Sequence, residues 1–166
     1  MCNGFLILEV NCIFFRLINH DTRYMIPASH IHPMLVHFPI ALIVIGFGMA
    51  LAALFIKKEI CLPKAGYYLL IIGTLAAVCT WLSGSLFTEE MQGSAGEIRE
   101  KHELMATITV CLLVATSILQ CILEIRKLEN KKLQWLAFTL YGLATISVIL
   151  TGFFGGTLVY NYMMPL

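Results

Sequence analysis

The chain has 166 residues, of which 59% are hydrophobic and 13% are charged, and its mean hydropathy is +0.85. A soluble globular domain has roughly 25% charged residues, so a chain this apolar must have lipid as its main solvent. The net charge of +1 is uninformative about nucleic acid, the sequence has no basic stripe, and we expect no nucleic acid partner. The six cysteines show neither C-x-x-C nor zinc-site spacing, and we expect no disulfide framework.

The N-terminal segment differs from the rest of the chain. It is apolar but contains Glu9 and Arg16, which makes it a poor membrane span, and it lacks the basic region and cleavage site of a signal peptide. Met25 directly precedes the first long apolar segment. We therefore interpret residues 1–24 as a doubtful N-terminal extension with Met25 as the natural start, and we predict a single transmembrane domain over residues 25–166.

The remaining sequence predicts an all-α membrane protein, a bundle of four transmembrane helices. Each span has about the 20 apolar residues that a membrane-crossing helix needs. Pro33 suits the first helical position of span one, and Pro39 inside that span frees the backbone carbonyl of Leu35. Ser94 and Glu97 have the spacing of a capping box before span three. The predicted spans are about 34–56, 66–87, 104–123 and 133–159.

The charges of the connecting segments predict the orientation of the bundle. The loops after spans one and three are basic, and the loop after span two is acidic. The positive-inside rule therefore places the basic loops in the cytoplasm, with both termini and all the histidines on the periplasmic side of the bacterial cytoplasmic (inner) membrane. The basic residues are Lys57, Lys58, Lys64, Arg126, Lys127, Lys131 and Lys132, and the acidic loop contains Glu89, Glu90, Glu97, Glu100 and Glu103.

Two histidines are the candidate site residues. His37 lies within span one, about 6 Å beyond Pro33 at 1.5 Å per residue, and His102 lies at the entrance of span three. Ionisable side chains inside membrane spans are costly and often mark function. The alternative for His37 is a neutral imidazole bonded to a freed backbone carbonyl or to a glutamate of the bundle.

Further side chains surround these two histidines in the sequence. Met34 and Met105 each lie one helical turn from a candidate histidine, and Glu103 directly follows His102. These three residues are secondary candidates for a metal site, although methionine at helical spacing usually fills gaps in a core. We interpret His30 and His32 as solvated loop residues outside the lipid.

Four sequence segments carry a resemblance to a known family. They are HPMLVHFPIAL at 32–42, SGSLFTEE at 83–90, HELMA at 102–106 and GGTLVY at 155–160. The chain from about Ile26 to Met164 resembles a bacterial membrane family catalogued as domain of unknown function 2231. The resemblance implies a fold and a membrane location, and no activity. Family members often carry a histidine shortly after the Val-Tyr pair, where this chain has Asn161-Tyr162.

Histidines from two helices at similar depth are typical axial ligands of b-type haem in a helix bundle. We predict that His37 and His102 bind haem b for electron transfer, with a redox or membrane-complex partner at the periplasmic face. One alternative is a copper-like transition-metal site formed by the same histidines. Another is a non-enzymatic structural or partner-docking subunit. A homo-oligomer is also compatible with the sequence.

The sequence favours a non-enzymatic protein. Ser83 and Ser85 lack a nucleophile-elbow context, and no Ser-His-Asp set can be assembled. Four helices without recognisable repeats or broken helix pairs also fit a transporter poorly.

Overall fold

The computed structural model describes residues 28–56, 59–87 and 91–163 of the chain, and every regular element within them is helical. The predicted extension 1–24 and Met25 lie outside the described residues. Four helical stretches are long and apolar enough to cross a membrane, which confirms the predicted number of spans. The helices are α1 (Ala28–Leu35), α2 (His37–Phe55), α3 (Cys61–Phe87), α4 (Ser94–Arg126) and α5 (Lys131–Leu158), followed by a π-helical turn (Val159–Met163).

The bundle consists of two antiparallel helix pairs. Helix α2 packs most extensively on α3, and α4 packs most extensively on α5, while α3 with α4 and α2 with α5 make the smaller contacts between the pairs. The centre of the core is formed by Ile43, Leu70, Leu113 and Tyr141, one from each helix, all fully or almost fully buried. The surface carries many large exposed hydrophobic side chains, as expected of a protein surrounded by lipid.

Glycines allow the helices to approach each other closely. A Cβ atom at Gly73 would lie 2.6 Å from Cδ1 of Ile43, and one at Gly46 would meet Leu69 and the Tyr141 hydroxyl. Small residues at these positions let the backbones of neighbouring helices approach, as is common in membrane bundles.

Span one is interrupted rather than continuous. The residue Val36 forms a turn between α1 and α2, at the carbonyl that Pro39 leaves without a backbone donor. The hydroxyl of Thr80 lies 3.5 Å from the carbonyl oxygen of Leu35, while it donates at 2.8 Å to the carbonyl of Ala76 on its own helix. The prediction that Pro33 opens the span is wrong, because helix α1 begins at Ala28 and contains Pro33 in its interior.

The predicted capping box at Ser94 is also wrong. The N-cap of α4 is Gly93, no side chain caps the helix, and the carbonyl of Gly93 accepts from the backbone N–H of Glu97 at 3.2 Å. Gly93 has φ 67° and ψ −144°, a conformation that only glycine adopts without strain. The backbone geometry of Gly93 therefore determines where α4 begins.

Hydroxyl pairs connect the helices inside the bundle. Thr74 of α3 and Ser117 of α4 lie 2.8 Å apart, and Thr109 of α4 and Ser147 of α5 lie 2.7 Å apart. Within the described residues, no buried side-chain nitrogen or oxygen lacks a hydrogen-bond partner. The polar groups of the core are therefore satisfied between helices, as a membrane interior requires.

Candidate functional site

A cavity of about 230 Å³ lies at one end of the bundle. This end, which we call the histidine end, is formed by α1, the N-terminus of α4 and the C-termini of α3 and α5. The cavity is partly open, and most of its lining is apolar. Its lining includes the three histidines His32, His37 and His102, the charged residues Arg99 and Glu103, and the glycines Gly84, Gly152, Gly155 and Gly156.

His32 of α1 packs against the last turns of α3. Its Nδ1 lies 3.1 Å from the carbonyl oxygen of Thr80 and 3.0 Å from the hydroxyl oxygen of Ser83. Because a carbonyl oxygen only accepts, Nδ1 carries the hydrogen and donates it, which leaves the Nε2 lone pair free. The imidazole lies over Gly84, where a Cβ atom would be 2.9 Å from Cε1 of the ring.

His102 of α4 has the same environment on α5. Its Nδ1 lies 3.0 Å from the carbonyl oxygen of Thr151 and donates to it, so its Nε2 is likewise free. The ring lies over Gly155, where a Cβ atom would be 3.0 Å from Cε1. Each histidine is therefore oriented by a Thr carbonyl and accommodated by a glycine one helical turn later.

The two histidines face each other across the cavity. Their ring centroids are 6.2 Å apart and the ring planes are inclined at 78°. The prediction placed His37 opposite His102 and treated His32 as a solvated loop residue. That interpretation of His32 is wrong, because His32 is helical, partly buried and bonded to α3.

The equivalent positions of the two histidines reveal an internal repeat. His102 follows His32 by 70 residues, and the Thr-x-x-x-Gly segment ending at Gly155 follows the one ending at Gly84 by 71. The fully buried residues Ile43 and Leu113 are also 70 residues apart, and Leu70 and Tyr141 are 71 apart. The helix pairs α2–α3 and α4–α5 therefore repeat the same placement of these residues along the chain.

This repeat corrects the expectation of a bundle without repeats, and its signal is present in the sequence. Each half has a histidine followed 48 or 49 residues later by Thr-x-x-x-Gly, at Thr80 and at Thr151. Most other paired positions differ in residue type, so the matched spacing of histidine, threonine and glycine is noticed only once their contacts in the structure are compared.

His37 lines the same cavity but has a different environment. Its side chain is exposed, and its Nδ1 donates to the carbonyl of Pro33 at 3.0 Å. This local bond matches the alternative reading of an imidazole bonded to a backbone carbonyl, although the carbonyl is that of Pro33 rather than Leu35.

The secondary candidates are dispersed around the histidine end. Glu103 lines the cavity with an exposed side chain, whereas Met34 is 57% exposed and, like Met105, is not part of the lining. Over the described ranges, no group of three or more His, Cys, Asp or Glu side chains is arranged to hold a metal ion. Glu89 and Glu90 and the side chain of His30 lie outside what the structure describes.

A second, smaller cavity of about 80 Å³ continues into the bundle. It shares His102, Trp81 and Gly155 with the first cavity and reaches Thr109 and Val148 in the core. Its lining is almost entirely apolar. The two cavities therefore meet at His102, and the larger one also contains His32 and the charged residues Arg99 and Glu103.

The fold and the cavity define an integral membrane protein of four helices with a pair of oriented histidines at one end. The chain belongs to the predicted membrane protein family DUF2231, whose family model matches residues 28–165. This match includes all five helices and both histidines of the pair, and it confirms the resemblance found in the sequence. The comparisons with curated proteins and with solved structures gave no match.

Proposed function

We propose that this membrane protein binds haem b, with the iron held axially between Nε2 of His32 and Nε2 of His102. The observation that carries the proposal is which ring nitrogen of each imidazole donates a hydrogen bond. Both donate Nδ1–H to a backbone carbonyl, which leaves both Nε2 lone pairs available as ligands. Histidine ligands of metals characteristically donate their other ring nitrogen in this way, which fixes the ring orientation.

The spacing of the rings supports the same arrangement. Imidazoles that bind one metal ion from opposite sides, each through a nitrogen about 2.0–2.1 Å from the metal, have ring centres roughly 6 Å apart. The ring centroids of His32 and His102 are 6.2 Å apart. A haem iron needs only these two protein ligands, whereas an isolated metal ion at this site lacks a third side-chain ligand within the described residues.

The two cavities that meet at His102 match an amphipathic ring. The smaller cavity offers apolar surface, and the larger cavity is partly open. A ligand larger than the two cavities would therefore extend out of the larger cavity at the histidine end. The glycines Gly84 and Gly155 allow the two imidazoles to pack directly against the backbones of α3 and α5. A planar macrocycle with an apolar edge and a charged edge suits this arrangement.

The ligation supports electron transfer as the role of this haem. If His32 and His102 both bound the iron, no coordination site would be left for a substrate or for oxygen. The partner is then a one-electron donor or acceptor at the histidine end. The positive-inside rule supports placing this end, with both termini, on the periplasmic side of the bacterial inner membrane, since Arg126, Lys127, Lys131 and Lys132 lie at the opposite end.

The test is a visible spectrum of the protein purified in mild detergent after expression with haem precursors, first air-oxidised and then reduced with dithionite. A Soret band with sharp α and β bands on reduction, at one haem per chain, is the expected result. A flat spectrum after reconstitution with haemin refutes the proposal. Metal analysis of the same sample tests the copper alternative, and a protein with neither haem nor metal fits a structural or docking subunit.

A further inference from the structure

Arg99 provides a positive charge at the larger cavity. It lies on α4, lines the same cavity as His32 and His102, and is partly buried. It precedes His102 by three residues, so it lies on the same face of the helix and about 4.5 Å nearer the histidine end at 1.5 Å per residue.

Within the part of the chain that the structure describes, no acidic side chain forms an ion pair with Arg99. Glu103, four residues later on the same helix, also lines the cavity but is exposed and makes no such pair. A partly buried guanidinium without a counter-ion carries a desolvation cost that an anionic ligand group would offset.

The geometry points to Arg99 as the binding partner of a carboxylate on the cavity ligand. Guanidinium groups bind carboxylates through two parallel hydrogen bonds, and they retain their charge in partly apolar surroundings. This inference rests on the proposed haem site. Haem carries two propionate carboxylates on one edge, and Arg99 would bind one of them. The porphyrin would thereby be oriented with its charged edge at the histidine end and its apolar edge in the smaller cavity.

The experiment compares two ligands with the same iron porphyrin, one with free propionates and one with both propionates esterified. Haemin and haemin dimethyl ester, which has no free carboxylate, are titrated into haem-free full-length protein in detergent. The variants are wild type, Arg99→Gln, Arg99→Lys and Lys101→Gln, whose exposed side chain lies outside the cavity lining and serves as the matched control. Circular dichroism and size-exclusion elution establish that each variant is folded.

We expect Arg99→Gln to weaken haemin binding at least about tenfold, since hydrogen bonds to charged groups contribute about 1.5–3 kcal/mol. The affinity for the dimethyl ester should be unchanged by Arg99→Gln, Arg99→Lys should be intermediate for haemin, and Lys101→Gln should match wild type for both ligands. Equal weakening of both ligands, or of neither, overturns the role of Arg99 while leaving the haem site intact. Wild type that binds neither ligand overturns the proposed function itself, and the role of Arg99 with it.

Discussion

The imidazoles of His32 and His102 occupy equivalent positions in two halves of one bundle and face each other with their centroids 6.2 Å apart. Neither ring is held by a residue near it in sequence. Each donates to a threonine carbonyl of the neighbouring helix, Thr80 or Thr151, and lies over the glycine four residues further on. A single site is thus formed from two copies of the same local arrangement.

The first prediction concerns the ligand assignment. His32→Ala and His102→Ala should each abolish the low-spin haem spectrum, because each removes one of two axial nitrogens. His37→Ala should retain the spectrum and serves as the control, since its ring is exposed and bonded locally to Pro33. Reduced-minus-oxidised spectra at equal protein concentration measure the haem that each variant retains. Loss of haem in His37→Ala with retention in His32→Ala would contradict the assignment.

The glycines beside the imidazoles give a second prediction. Gly84→Ala and Gly155→Ala should each weaken haem binding about 10–100-fold, the range found when groups that orient a metal ligand are disturbed. The added methyl would lie 2.9 or 3.0 Å from Cε1 of the ring and displace it. Haemin titration is the measurement. Gly48→Ala is the control, because a Cβ atom there meets nothing within 4 Å, and unchanged affinity in both test variants would disprove the role of the glycines.

A third prediction concerns packing between α2, α3 and α5. Gly46→Ala should destabilise the bundle by about 1–3 kcal/mol, the usual cost of overpacking a core, because its methyl would collide with the Tyr141 hydroxyl and lie 2.9 Å from Cβ of Leu69. Thermal unfolding in detergent measures the loss. Gly48→Ala, on the same helix with open space around it, should leave the unfolding midpoint close to that of wild type. Equal midpoints for the two variants would refute this account of the helix contact.

The buried hydroxyl pair between α4 and α5 gives a fourth prediction. A double-mutant cycle with Thr109→Val and Ser147→Ala should show a coupling of about 0.6 kcal/mol, the average for interhelical hydrogen bonds in membranes. The two oxygens are 2.7 Å apart, and Thr109 also bonds the Met105 carbonyl, so part of its bonding survives the loss of Ser147. Unfolding in a denaturing detergent provides the free energies. Repeating the cycle with the exposed Thr139, which bonds only within its own helix, should give no coupling to Ser147.

The orientation of the bundle gives a fifth prediction. In spheroplasts, a membrane-impermeant maleimide should not label a variant that retains only Cys61, which is exposed beside the first basic loop. It should label Glu100→Cys in a background without other cysteines, since this exposed position lies near the histidine end. Labelling of both after membrane disruption is the control. The reverse pattern would place the histidine end in the cytoplasm.

The number of spans follows from hydropathy alone, because each helix must by itself satisfy its backbone and present apolar side chains to lipid. The same reasoning located the freed carbonyl of Leu35 but not the hydroxyl of Thr80 that lies 3.5 Å from it on another helix. From the sequence, His37 rather than His32 is predicted as a ligand, because Pro33 is interpreted as the start of the helix. With 3.6 residues per turn, positions five apart lie about 140° apart around a helix. The side chains of His32 and His37 therefore point in different directions from the helix axis.

The sequence by itself determined the membrane location, the four spans, their predicted orientation and the presence of histidines at one end. These properties depend on composition and on charges near the helix ends, which need no knowledge of how the helices pack. The tertiary structure decided which histidines form the pair. The carbonyls and glycines that orient His32 and His102 lie 48 to 53 residues away in the chain, so only the packing of α1 on α3 and of α4 on α5 brings them together.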